Sequence, residues 1–147
     1  MGGSRSGVAI ARSGALNVVT NDSQYDADSW RRNLKTVIGG DTLIGFDGDR
    51  ERVALIDPVS GKILASGILI KTGGGDGAPT RHFVTGLKAS ETRQGYATRM
   101  YERLLEYVPS LRPEFRQTPD GKAFWDALKQ NPKFSWDDSS GLSLRAS

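Results

Sequence analysis

The sequence contains no cysteine and one histidine, His82, among its 147 residues. The absence of cysteine rules out disulfides, thiolate zinc sites and cysteine nucleophiles, a profile that fits a reducing, cytoplasmic setting. With a single histidine, neither a multi-histidine metal site nor a Ser-His-Asp relay is expected. Long apolar runs are missing too: none approaches the roughly 20 residues that a membrane-spanning helix needs, so no membrane partner is expected. The opening stretch MGGSRSGVAIARSG lacks the sustained apolar core of a secretory signal. Charge of one sign is also scarce. There are 20 basic against 17 acidic residues, a net charge of +3, and the arginines are dispersed (Arg31/Arg32, Arg50/Arg52, Arg93/Arg99/Arg103, Arg112/Arg116). No basic stripe interleaves with aromatics, so this charge reads as a solvated surface and argues against a nucleic-acid groove.

What is present suits one soluble domain with a real core: 37% hydrophobic and 25% charged residues. Residues 1–28 are rich in Gly, Ser, Asn and Asp and read as a flexible N-terminal arm. Residues 29–136 carry the periodic apolar patterns of the domain, and 137–147 read as a polar C-terminal tail. Within the domain, Trp30, Leu34, Val37 and Ile38 recur at helical spacing, which predicts a helix over Ser29–Ile38 stopped by Gly39-Gly40. A short strand, Thr42–Phe46, is expected next. Arg52–Asp57 and Lys62–Lys71 are apolar, β-branched runs separated by PVSG, the pattern of an antiparallel hairpin. The second run reads as buried on both faces, with Gly67 marking a bulge or a close backbone approach. Thr72–Thr80 (TGGGDGAPT) leads into another strand, so its glycines read as a mobile connection.

The stretch Arg81–Pro109 then reads as a strand (His82–Leu87), a short polar loop and an amphipathic helix ended by Pro109. Tyr96, Met100, Leu104 and Val108, joined by Ala97, Tyr101 and Leu105, form one wide stripe that suits a sheet. Strand, glycine loop and helix in that order make a general phosphate cradle, because the first unpaired N–H groups of the helix and its dipole converge on one point. A second helix is expected in TPDGKAFWDALKQNP, capped by Thr118 with Pro119 at its first position and Phe124, Trp125 and Leu128 inward. Lys133–Trp136 is expected as a last strand. The order of elements implies an α/β fold with a mixed, mostly antiparallel central sheet flanked by helices.

At Leu87–Thr98, LKASETRQGYAT, the sequence resembles the acetyl-CoA-binding segment of the GNAT acyltransferases. That family's pattern is a strand-ending apolar residue, a few polar residues, then Q/R-x-x-G-x-G/A opening a helix. Leu87 stands at the strand end, Gly95 at the glycine and Ala97 at the last small residue, while Thr92 stands where Gln or Arg is usual. The hairpin RVALIDPVSGKILASGILI and the segment GKAFWDAL resemble the family's second and third strands and its late helix. The resemblance implies a GNAT-like fold with acetyl-CoA as co-substrate. It implies that Leu87 and Lys88 offer main-chain groups near the thioester. Backbone N–H groups from about Arg93 through Gln94, Gly95 and Ala97 to Thr98 would hold the pyrophosphate, with Thr92 at the loop's entrance. Arg93 and Arg99 would add positive charge for the phosphates.

Acyl transfer to an amine needs a base for the incoming ammonium and gains from an acid for the leaving thiolate. His82 and Glu91 are the candidates for the base. The acid in the resembled family is often a tyrosine on the late helix; Trp125 stands there, and Tyr101 and Tyr107 read as core or rim residues. Two functions therefore stay open: an N-acetyltransferase acting on an amine of a small molecule or protein, and a GNAT-like binding or structural module, as a homodimer or within a larger assembly.

Overall fold

The computed structural model describes residues 8–9, 17–18, 32–89 and 95–146. Two short strands, β1 (Val8–Ala9) and β2 (Asn17–Val18), pair antiparallel with each other. The main sheet has five strands in sequential order: β3 (Leu34–Ile38), β4 (Thr42–Asp47), β5 (Arg50–Ile56), β6 (Ile63–Thr72) and β7 (Arg81–Ala89). Each neighbouring pair is antiparallel. The expected mixed character thus shrinks to one isolated parallel bridge, Phe83 to Arg112, among the described residues. Two helices follow, α1 (Tyr96–Leu104) and α2 (Pro119–Gln130), then a hairpin of β8 (Phe134–Asp137) and β9 (Gly141–Leu144).

Two expectations are corrected here. Leu34–Ile38 is a strand, not the end of a helix. Helical spacing is satisfied by its residues, but Gly39 and Gly40 adopt φ values of 63° and 76° and fold the chain into a tight turn, closed by the Asp41 N–H on the Ile38 carbonyl at 3.3 Å. The β-branched run then pairs with β4, and pairing overrides the weak helical period. The segment expected as a polar tail contains β9, whose Leu142 is fully buried. Leu142 exchanges two backbone hydrogen bonds with Leu111, at 2.9 and 2.8 Å, which binds the chain's end to the core.

Other elements lie where local chemistry put them. The β5–β6 turn is held by the Asp57 carboxylate, which accepts from the Val59 N–H at 2.9 Å. The N–H of Gly121 donates to Thr118 Oγ1 at 3.0 Å, capping α2 as expected, with Pro119 at its first position. In β6 the buried residues Ala65, Gly67 and Leu69 alternate with half-buried ones, so one face is buried more deeply than the other. A Cβ at Gly67 would stand 2.6 Å from Val84 Cγ1, which is the close approach its glycine permits.

One face of the sheet (Ile44, Val53, Leu55, Leu69, Val84) packs on Met100, Tyr101 and Leu104 of α1 and on Trp125 and Leu128 of α2. Phe134 and Leu142 of the last hairpin complete that core. Helix α1 is shorter than its apolar pattern: it ends at Leu104, and the Val108 N–H bonds the Leu104 carbonyl at 2.8 Å in the turn that follows.

Candidate functional site

The site is built at the outer edge of β7, beside a break in its register with β6. Ser66 faces Lys88 and Ile68 faces Thr85, so Gly67 alone stands opposite Gly86 and Leu87. That is a β-bulge, and Gly86 takes the left-handed conformation it needs, φ 64°. On its outer edge β7 meets Arg112, whose N–H donates to the His82 carbonyl at 2.8 Å. Past that bridge the edge has no paired strand among the described residues. The chain from Pro113 to Thr118 diverges from it, and a cleft of about 450 Å³ lies between the two.

The walls of the cleft come from three places. Val84, Gly86, Leu87 and Ala89 belong to β7, Ala97 and Tyr101 to α1, and Phe124 and Trp125 to α2. Ala97 and Tyr101 are one helical turn apart and share a face. Glu114, Arg116 and Asp120 bring charge to the opposite rim.

At the head of α1, Gly95 is the N-cap with φ 77° and ψ 9°, and no side chain among the described residues caps the helix. The Arg99 N–H takes the Gly95 carbonyl at 2.9 Å, so Tyr96, Ala97 and Thr98 lie before the first intrahelical donor. Among the described residues, its chain neighbours aside, no atom lies within 4 Å of where a Gly95 Cβ would stand. The glycine is therefore required by its backbone angle, and no described residue crowds the space above it. No acidic residue sits in the first turn to compete for an anion.

Of the residues singled out from sequence, Leu87, Lys88, Gly95, Ala97 and Thr98 are described at the bulge or the start of α1. Leu87 and Ala97 line the cleft together. Gly95, Thr98 and Arg99 face a second, more open groove shared with Asp41, Asn131 and Lys133. Glu91, Thr92, Arg93 and Gln94 lie outside the described residues. Arg99 is not left for a phosphate alone: its Nε donates to Asp41 Oδ2 at 2.9 Å. His82 does not line the cleft. It precedes the bulge residue Leu87 by roughly 16 Å of strand. Burial, followed by the charge of Lys71, lowers its pKa against an opposing pull from Glu51.

Sequence reasoning missed two cleft residues. Tyr101 is 2% exposed, and burial raises its pKa, helped by the Glu114 carboxylate and opposed by a hydrogen bond with Trp125. Glu114 carried no sequence signal, because its place depends on the path taken between Arg112 and α2. Tyr101 had one, the helical step from Ala97, but that step equally marks a core residue. Among the described residues, no group of three or more His, Asp or Glu side chains could hold a metal ion. Among the described residues no helix is long and apolar enough to cross a membrane. No family model, curated protein or solved structure matches this chain.

Proposed function

We propose that this chain is an N-acetyltransferase of the GNAT type, moving an acetyl group from acetyl-CoA to an amine of a small molecule or protein. The observation that carries the reading is the bulged, unpaired edge of β7 opening onto a cleft beside the uncapped start of α1. A pantetheine arm contains amides that suit strand addition, and the main chain at Leu87 and Lys88 supplies their partners. The N–H groups of Tyr96, Ala97 and Thr98, with the positive end of the helix, suit a pyrophosphate, and no described residue crowds its approach at Gly95. Lys88 is exposed and carries a positive charge. Acetyl-CoA brings the activated thioester. The chain's part is to align it, to exclude water with Val84, Leu87 and Phe124, and to hold the amine in line.

The binding-module reading has one observation in its favour. Trp125, at the position expected for an acid, is 5% exposed and packs edge-on to Tyr101 at 5.6 Å. Its indole has no labile proton to give a thiolate.

Calorimetric titration of acetyl-CoA into the wild type and into Gly95→Glu tests the proposal. Binding in the micromolar range is expected for the wild type and no heat for the variant, which puts a carboxylate at the phosphate position. A wild type that leaves acetyl-CoA unbound rejects the enzyme reading in favour of the module.

A further inference from the structure

Phe115 is fully exposed, whereas Phe46, the next most exposed of the described aromatic rings, is 40% exposed. Glu114 before it and Arg116 and Gln117 after it line the cleft, and Phe115 itself does not. Side chains alternate along an extended segment, so with Glu114 and Arg116 inward the ring between them stands outward. Both ends of this segment are anchored. Before it, Arg112 gives its N–H to the His82 carbonyl at 2.8 Å, and its guanidinium donates to the Asp138 and Ser139 carbonyls. After it, Thr118 Oγ1 accepts the Gly121 N–H at 3.0 Å and the Thr118 carbonyl accepts the Lys122 N–H at 2.9 Å. Between these anchors, residues 113–117 make no hydrogen bond or ion pair with any described residue.

A turn of this span about its own axis therefore breaks no bond within the described structure, which is the property a closing loop needs. A phenylalanine left in water gains free energy when an apolar surface is offered to it. The cleft beside it is walled by Val84, Leu87, Phe124 and Trp125, and an apolar arm lying among them would extend that surface to the rim. We infer that residues 113–117 are a lid, and that Phe115 is a further binding residue that turns inward over the arm of a bound acyl-CoA. This rests on the acyltransferase reading of the cleft and adds the part that closes it. The turn exchanges Glu114 and Arg116 for the ring on the inner side, so two charges reach water as the ring leaves it. Asp120, the other charged residue of the lining, belongs to the first turn of α2 and stays at the rim. An open lid leaves the entrance free, so closure slows the ligand's departure more than its arrival.

The test has two readouts on the full-length protein with acetyl-CoA as the probe. In the first, brief chymotrypsin treatment is followed by mass spectrometry of the cut after Phe115. The free protein is expected to be cut there promptly, and saturating acetyl-CoA to slow that cut about tenfold, since cleavage follows the open population. In the second, release of acetyl-CoA is timed by stopped-flow tryptophan fluorescence. Release is expected to be about tenfold faster from Phe115→Ala, with association unchanged, and close to the wild-type rate from Phe115→Tyr. The exposed position lets both variants fold. A cut that bound acetyl-CoA does not slow, or a release rate that Phe115→Ala leaves unchanged, overturns the lid and leaves the CoA site standing. A free Phe115→Ala that sediments as a smaller species than the wild type makes the ring an anchor between copies and overturns the lid as well. If calorimetry finds no binding of acetyl-CoA to the wild type, the acyltransferase reading falls and the lid falls with it.

Discussion

The Asp41 carboxylate accepts from Arg103 Nε at 2.9 Å although Asp41 is only 4% exposed. Its other oxygen accepts from Arg99 Nε, also at 2.9 Å, and from Arg103 Nη2 at 3.3 Å, and the Thr42 hydroxyl adds a fourth side-chain bond at 3.1 Å. One buried charge in the β3–β4 turn thus holds two arginines of α1 and keeps the head of that helix against the sheet. The hydrogen bond to Asp41, first among the causes, favours the charged form of Arg103 further. Gly39 belongs to the same arrangement, since a Cβ there would stand 2.5 Å from the Arg103 guanidinium.

Asp41→Ala is expected to cost about 3 kcal/mol, the low end for breaking a buried ion pair, because both arginines keep part of their hydration. Urea unfolding with an unchanged slope and a lowered midpoint is the expected result. A midpoint equal to that of the wild type shows that the clamp does not stabilise the fold.

Stability should depend on pH through His82. Its folded pKa lies below the ordinary 6.5, with burial as the first cause. The unfolded chain therefore binds the proton more tightly. The contribution is fully present above pH 6.5 and is lost as pH falls through the lowered folded value. Urea midpoints measured across that window should fall on acidification, and the fall should be smaller in His82→Gln. A profile that rises on acidification, or one identical in the variant, contradicts this.

Leu142→Ala should cost about 3 kcal/mol despite lying near the chain's end, as for other fully buried leucines. Its side chain is 0% exposed and its backbone is paired with Leu111. A thermal melt separates the cases: a shift of several degrees is expected, and none if this segment is the polar tail its composition resembles.

Local patterns in the sequence determined a good deal. The β5–β6 hairpin, the Thr118-capped α2 and the glycine before α1 each depend on residues within a few positions of one another. Turn chemistry, capping and a positive φ are settled at that range. The tertiary structure alone decided the rest. Leu34–Ile38 satisfied a helical period until β4 offered it a partner. Gly141–Leu144 looked polar until Leu111 claimed its one buried leucine. Arg99, expected to add charge for the phosphates, also gives its Nε to a buried aspartate from another element. Tyr101 and Glu114 became one site because α1 and the segment before α2 converge on the same cleft. Pairing, ion-pair choice and cleft walls are contacts between distant segments. Their energies depend on burial and dielectric, which exist only after the chain has closed on itself.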